Sequence, residues 1–165
     1  DKIRAITQAG MVVFGHIGLT PQSSASMGGF KAQGRTVESA KAVIEDAIAV
    51  YKAGARTLLL EGVPEEVCAF VHQMLPIPVY GIGAGAQCDG QVILAADMLG
   101  MYQNFTPKFV KKYADIAGMA TNGIAEYVKE VKADIFPGPE HKYKISGEQE
   151  EFNQLFEQMK PLFEK

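Results

Sequence analysis

The chain has 165 residues, a formal net charge of −3, 47% hydrophobic residues and 21% charged residues. This balance is ordinary for a globular protein, and the length allows one sizeable core. The acidic charge argues against a nucleic-acid surface, which needs a basic stripe. No apolar run approaches the roughly 20 residues of a membrane-spanning helix. Cys68 and Cys88, the only cysteines, form no disulfide framework, so we expect a reduced, cytoplasmic protein without nucleic-acid or membrane partners.

Four short apolar runs predict the strands of a parallel sheet. Each run is apolar throughout and does not alternate with polar residues, which is typical of strands buried on both faces. The runs lie at residues 11–14, 57–60, 79–82 and 92–95. Residues 1–10 resemble the end of an amphipathic helix closed by Gly10, so we expect the chain to begin inside a fold.

Helical patterns fill the intervals between these runs. Residues 37–53 carry apolar side chains on one face, with Thr36 as the expected N-cap. A second helix is expected to run from Pro64 to about Leu75. Alternating strands and helices imply right-handed crossovers in a parallel sheet. The sheet is either an open doubly wound sheet or half of an eight-stranded barrel, which typically needs about 250 residues.

The second half of the chain is expected to be mostly helical. Residues 106–133 predict a helix with a break near Gly118 or Gly123, and residues 146–164 predict an acidic, amphipathic terminal helix.

Two proton-handling side chains follow predicted strands. His16 follows residues 11–14 in a stretch flanked by glycines, and Glu61 directly follows residues 57–60. A lone histidine is most often a structural residue, and a carboxylate at a sheet edge is often half of an ion pair. However, the carboxyl ends of parallel strands are where α/β enzymes place catalytic groups. We therefore predict that the loop residue His16 and the strand-end residue Glu61 converge on one pocket.

Other candidate motifs are weaker. The run GIGAGA at residues 81–86 satisfies a dinucleotide-binding pattern, but too little room for a helix precedes the acid at Asp97, so we interpret it as a crowded turn. Residues 27–35 form a long glycine-rich loop, of a kind that often acts as a lid or binding loop. His72 and His141 are expected at the surface, and no metal-ligand spacing is present.

Six motifs in register resemble those of the ketopantoate hydroxymethyltransferase family. They are GHIGLTPQS at residues 15–23, GGFKAQGR at 28–35, LEGVP at 60–64, GIGAG with DGQ at 81–91, PKF at 107–109, and FPG with EH at 136–141. The resemblance predicts one domain at residues 1–143 and a helical extension at residues 144–165.

The resemblance implies a TIM (β/α)8 barrel of the phosphoenolpyruvate/pyruvate superfamily, of which this chain would hold roughly strands five to eight. It implies transfer of a hydroxymethyl group from 5,10-methylenetetrahydrofolate to α-ketoisovalerate, giving ketopantoate for pantothenate and coenzyme A biosynthesis. By motif match, Glu61 corresponds to the family's proposed base at the substrate carbon, and His16 to the histidine that hydrogen-bonds the keto acid. Lys31, Arg35 and Lys108 are candidate contacts for the folate.

The same resemblance implies a Mg²⁺ ion that chelates the keto acid and stabilises its enolate. The family's metal-binding aspartates lie on its first four strands, so no metal ligands are expected in this chain. The implied partners are the N-terminal half of the same enzyme and further copies in a decamer-like ring. The chain alone is then expected to be inactive.

Two alternatives remain open. One is another lyase or mutase of the same barrel superfamily that acts on an α-keto acid. The other is an inactive half-barrel fragment retained for folding or assembly, whose open sheet edges would be a liability.

Overall fold

The computed structural model describes residues 1–163 and has an α/β fold built on a four-stranded parallel sheet. The strands are β1 (Phe14–Gly18), β2 (Thr57–Glu61), β3 (Val79–Ile82) and β4 (Gly90–Gln91), and they lie in that order. The helices are α1 (Lys2–Gln8), α2 (Val37–Lys52), α3 (Glu65–Met74), α4 (Ala95–Met98), α5 (Ile116–Lys132) and α6 (Gln149–Met159). Short 3₁₀ helices lie at Pro21–Met27, Pro139–His141 and Lys160–Leu162. The predicted α/β class with a parallel sheet is confirmed.

Local chemistry sets the ends of α1 and α2 as the sequence predicts. Gly10 has φ +81° and ends α1 in a Schellman arrangement, in which the amide of Met11 donates to the carbonyl of Ile6. Thr36 caps α2 in a capping box with Ser39, since each side chain accepts from the other's backbone amide. The predicted α3 is also confirmed.

The first strand is displaced from its predicted position, because it runs over Phe14–Gly18 instead of residues 11–14. Met11 is still engaged in the cap of α1. The small volume of Gly15 in β1 allows Val50 of α2 to pack directly against the sheet. His16 therefore lies in the middle of a strand, and its predicted loop placement is wrong.

The fourth predicted strand, at residues 92–95, is also wrong. The β3–β4 pairing places Tyr80 opposite Gly90 and Gly81 opposite Gln91, and its last bond runs from the amide of Val92 to the carbonyl of Gly81. The chain then enters α4, whose first turn contains Asp97. Residues 83–89 join two parallel strands without a helix, although such crossovers usually take a dozen residues or more.

The predicted helix at residues 106–133 is shorter than expected and has no break. It begins at Ile116, because the preceding residues are held against α4 through bonds such as that from the amide of Tyr113 to the carbonyl of Met98. Gly123 lies within the continuous helix α5, and a Cβ there would meet no atom within 4 Å.

The core lies between the sheet and helices α2 and α3. Leu58 and Leu60 of β2 are fully buried and pack with Val43 of α2 and Val71 of α3. Side chains alternate along a strand, so the other face of the sheet carries Phe14, His16, Gly18, Thr57, Leu59, Glu61, Tyr80 and Ile82. We call this the open face, because much of it is half-buried and Phe14 is 54% exposed. The prediction that the strands are buried on both faces is wrong for this part of the molecule.

The chain divides into two compact units, residues 1–117 and 118–165. Within the described part of the second unit, Tyr127, Phe136 and His141 stack in succession, with ring centroids 5.5 and 5.1 Å apart. The predicted division into a family core at residues 1–143 and an extension at 144–165 stays a prediction. Over residues 1–163, no helix is both long enough and apolar enough to cross a membrane.

Candidate active site

The structure brings His16 and Glu61 together on the open face. Strands β1 and β2 pair in parallel, with His16 opposite Leu59 and Gly18 opposite Glu61. Since residues two apart share a face, both side chains project from the same side of the sheet. His16 Nε2 lies 3.1 Å from Glu61 Oε2. The predicted convergence across neighbouring strands therefore describes the geometry, while the catalytic role of each residue stays a prediction.

Two opposing effects act on the Glu61 carboxyl. Burial raises its pKa above the ordinary value of 4.5, and the charge and hydrogen-bonding capacity of His16 partly offset that rise. The side chain of Glu61 is only 12% exposed, compared with 29% for His16. Burial dominates, so the carboxylate is a stronger proton acceptor than a carboxylate in free solution.

The Nε2 atom of His16 is buried and makes no hydrogen bond within the described part of the chain. Glu61 Oε2 lies within ion-pair distance, but the contact does not meet the geometry of a hydrogen bond. Leaving a buried donor unsatisfied costs about 1–3 kcal/mol. Such a group is well suited to bind a ligand oxygen that enters the site.

A long loop is attached at both ends to the backbone around Glu61. At its start, the amide of Leu19 donates to the carbonyl of Glu61 at 2.8 Å, and at its end the amide of Gln33 donates to the carbonyl of Gly62 at 2.8 Å. The intervening residues 20–32 contain the 3₁₀ helix Pro21–Met27 and left-handed Gly28. The loop therefore begins and ends on consecutive peptide groups beside the carboxylate.

The candidate folate-binding cations lie on two different segments of the chain. Lys31 and Arg35 are exposed on or just after the long loop. Lys108 is exposed beside Phe109, whose ring packs on Gly83. Lys31 and Arg35 are thus close to each other along the chain, while Lys108 lies in the segment between α4 and α5, next to a residue that packs on the turn after β3.

The GIGAGA segment is the crowded turn that the sequence predicts. A Cβ on Gly83 would lie 2.5 Å from the ring of Phe109, and one on Gly81 would lie 3.1 Å from the sulfur of Cys88. The segment leads into β4 and not into a helix, so it lacks the helix N-terminus on which dinucleotide binding depends.

Sequence reasoning missed the groups that hold this turn. Glu65 Oε1 accepts from the amide of Ala86 at 3.0 Å, and Gln91 Nε2 donates to the carbonyl of Gly85 at 2.8 Å. No spacing rule in a single sequence links these pairs, which lie on different elements.

His72 also has an unpredicted partner. Its Nε2 lies 3.3 Å from Asp89 Oδ1, and the other carboxylate oxygen of Asp89 accepts from the amide of Val79 at 2.7 Å. These contacts lower the pKa of Asp89 below its ordinary value of 3.8, with the backbone bond as the largest cause. Asp89 therefore fastens the start of β3 to α3, and the residue was noted from sequence only as part of the DGQ motif.

Within residues 1–163, no group of three or more His, Cys, Asp or Glu side chains is arranged to hold a metal ion. The Glu61–His16 pair offers one carboxylate and one imidazole, whereas Mg²⁺ prefers octahedral oxygen ligation. The described residues therefore do not form a magnesium site by themselves.

The sheet and this pair define an α/β protein with an imidazole and a carboxylate in contact on neighbouring parallel strands. Residues 1–139 match the ketopantoate hydroxymethyltransferase family, and the chain belongs to that family.

Relatives named 3-methyl-2-oxobutanoate hydroxymethyltransferase agree with this assignment. The protein of Alkaliphilus metalliredigens is 58% identical over 160 residues, which cover 97% of this chain and 56% of the relative. That of Enterococcus faecalis is 52% identical over 148 residues, which cover 90% of this chain and 54% of the relative. That of Syntrophobacter fumaroxidans is 50% identical over 145 residues, which cover 88% of this chain and 51% of the relative. The chain spans about half the length of these relatives, and it belongs with transferases and not with a lyase or mutase family.

Proposed function

We propose that this chain supplies the base and a substrate-binding imidazole to an enzyme that makes ketopantoate. The reaction transfers a hydroxymethyl group from 5,10-methylenetetrahydrofolate to α-ketoisovalerate. The family assignment supports the reaction class. The observation that carries the site assignment is the 3.1 Å approach of His16 to the half-buried Glu61 on two neighbouring parallel strands.

Glu61 removes the proton from the carbon next to the keto group. That carbon must lose a proton before it can form a bond to the one-carbon unit, and the loss needs a base whose pKa lies nearer neutrality than that of a free carboxylate. Burial shifts Glu61 in this direction. The stronger basicity comes from surrounding protein that excludes water, so it is present before the substrate arrives.

His16 orients the substrate beside the base. Its unsatisfied Nε2 donates to an oxygen of the keto acid, and its distance from Glu61 places the bound acid against the carboxylate. A donor held rigidly in a strand stabilises charge that develops on oxygen as the proton leaves, without rearrangement during the reaction.

The proposal places the magnesium ion on residues outside this chain, and the lack of any group of three or more His, Cys, Asp or Glu side chains arranged for a metal among residues 1–163 supports this. When bound, Mg²⁺ would act as a Lewis acid on the keto acid. No step assigned to Glu61 or His16 depends on its position.

The remaining parts of the proposal concern the assembled enzyme. The four parallel strands correspond to roughly strands five to eight of a TIM barrel, and the N-terminal half of the enzyme completes it. The open face supports this, because a barrel interior needs side chains from opposite strands to fill it. The assembly in a homo-oligomeric ring, the cytoplasmic location, and the folate contacts through Lys31, Arg35 and Lys108 belong to the same proposal.

Exchange of the C3 proton of α-ketoisovalerate into D₂O tests the role of Glu61. In the full-length enzyme, we expect Glu61→Gln to slow exchange by roughly 100-fold or more, the usual contribution of a general base. Proton NMR measures the exchange without requiring the transfer step. Glu66→Gln is the matched control, because Glu66 is an exposed carboxylate on the neighbouring helix α3. Unchanged exchange in a folded Glu61→Gln enzyme would remove Glu61 from the base role.

A further inference from the structure

The fold brings together the two cysteines, which lie 20 positions apart in the sequence. Cys68 lies in α3 and is fully buried, and Cys88 lies in the connection between β3 and β4 and packs against the core cluster that includes Cys68. The Cys68 thiol donates to the carbonyl of Gln87, the residue before Cys88, at 3.9 Å. Burial above all, and then the charge of Cys88 and the hydrogen bond with it, raise the pKa of Cys68 to about 12. The two thiols are therefore direct neighbours.

Solvent reaches one thiol but not the other. Cys88 is half-buried and lines an open depression of about 400 Å³, together with Gly83, Gly85 and Phe109. Its sulfur accepts from Gln91 Nε2 at 3.2 Å and donates to the carbonyl of Gly90 at 3.3 Å. The opening of the depression to solvent gives a small reagent a route to this sulfur. Cys68 has no such access.

We propose that Cys68 and Cys88 form a redox-active dithiol that a low-molecular-weight disulfide, such as oxidised glutathione, converts to an intramolecular disulfide. The Cys88 thiolate attacks one sulfur of oxidised glutathione, so a mixed disulfide forms and one glutathione thiolate leaves. Cys68 then loses its proton and attacks the Cys88 sulfur, and the second glutathione leaves. The two protons lost by Cys88 and Cys68 end on the two glutathione thiolates, so two electrons reduce one oxidised glutathione to two thiols.

The order of attack follows from the environments of the two sulfurs. Cys88 is the accessible thiol, and its sulfur accepts a hydrogen bond from Gln91 Nε2. Cys68 is protected until Cys88 has reacted. Once Cys88 is in a mixed disulfide, its negative charge and its hydrogen bond no longer oppose ionisation of Cys68. The neighbouring position of Cys68 then makes the second step intramolecular.

The disulfide would tie the turn after β3 to helix α3. Cys88 would lose the S–H that donates to the carbonyl of Gly90, at the start of β4. The crowded turn of residues 81–86 would then be joined covalently to the core. Disulfides of this kind in reducing compartments are usually transient and regulatory.

Peptide mapping tests the proposal without an activity assay. The purified protein is incubated with oxidised glutathione, free thiols are blocked by alkylation, and the digest is analysed by mass spectrometry without reduction. We expect a disulfide-linked pair of peptides, one containing Cys68 and the other Cys88. Its mass should equal the sum of the two peptide masses less two hydrogens, and the linked species should disappear after treatment with dithiothreitol. Two alkylated cysteines, or a glutathione adduct that persists at Cys88, would overturn the proposal.

Single variants test the order of attack. Cys68→Ala is expected to stop at a glutathione adduct on Cys88, while Cys88→Ala should leave Cys68 unmodified and alkylated only after denaturation. Circular dichroism is the control that checks whether each variant is folded. A glutathione adduct on Cys68 in the Cys88→Ala protein would contradict the assigned roles.

Discussion

Glu61 occupies a position that suits proton transfer more than stability. An ionised carboxylate at low exposure loses hydration, and its contact with His16 restores only part of the loss, because the net shift of its pKa is upward. A buried imidazole nitrogen without a hydrogen bond adds a second unfavourable feature at the same place. Two such features on one face of a sheet are typical of a functional site, since other parts of the fold must compensate for them.

The raised pKa of Glu61 predicts how stability depends on pH. The folded state binds the Glu61 proton more tightly than the unfolded state, so this group's contribution to stability falls as pH rises from the ordinary value of 4.5 through the raised pKa. We expect Glu61→Gln to raise Tm at neutral pH and to lose that advantage below pH 4.5, where Glu61 is protonated in both states. Thermal unfolding of both proteins across this range measures the effect. A Tm difference that is constant with pH, or of opposite sign, would contradict it.

Individual site residues could be predicted from the sequence where the residue type and its position at the end of an apolar run point to the same role. A carboxylate after three leucines and a histidine between glycines stand out in the sequence, so the pair could be found before its distance was known. The contacts of Asp89 with His72 and Val79 could not be found, because they depend on how the connection after β3 folds back. Periodicity describes one element at a time and carries no information on such contacts.

At the scale of elements, the end of β1 and the turn after β2 act as one unit. Gly18 has φ +82°, and a Cβ there would overlap the carbonyl oxygen of Glu61 and lie 2.8 Å from Val63 Cγ1. The adjacent amide of Leu19 donates to that same carbonyl. The absence of a side chain at position 18 therefore allows the long loop to attach beside Glu61.

A pair of glycine variants separates this close approach from backbone strain. Gly10 has nearly the same φ, +81°, but no atom lies within 4 Å of its virtual Cβ. Gly10→Ala is expected to cost about 1 kcal/mol for the left-handed conformation, whereas Gly18→Ala adds overpacking for a total of about 3 kcal/mol. Urea unfolding measures both values. Equal losses for the two variants would show that the contact with Glu61 contributes nothing.

The elements that the sequence misplaced are those whose limits depend on tertiary contacts. Helices α2 and α3 have local start and stop signals, and their predicted limits agree with the structure to within about one residue. Strand β1 shifts because Gly15 and Gly18 serve packing that propensity does not describe. Strand β4 is only two residues long and is defined by its pairing with β3, so an apolar run nearby was mistaken for it.

At the scale of the molecule, one face of the sheet is covered by helices and the other is partly exposed. Helices α2 and α3 bury Leu58 and Leu60 completely, while Phe14 on the open face is 54% exposed. The chain also spans only 51% to 56% of the length of the three relatives compared. The acid–base pair stands on the incomplete face, so the groups that should oppose it across a barrel are not among the described residues.

This incompleteness predicts that the 165-residue chain alone makes no ketopantoate. Given α-ketoisovalerate, 5,10-methylenetetrahydrofolate and Mg²⁺, it should produce no more than its own Glu61→Gln variant, since the described residues include no group of three or more side chains arranged to hold a metal ion. Co-expression with the part of the Alkaliphilus metalliredigens relative that this chain does not cover should restore product formation, because it would supply the opposing strands. Mass spectrometry of ketopantoate measures both outcomes. Product from the chain alone, abolished by Glu61→Gln, would show that the open face already holds a complete site.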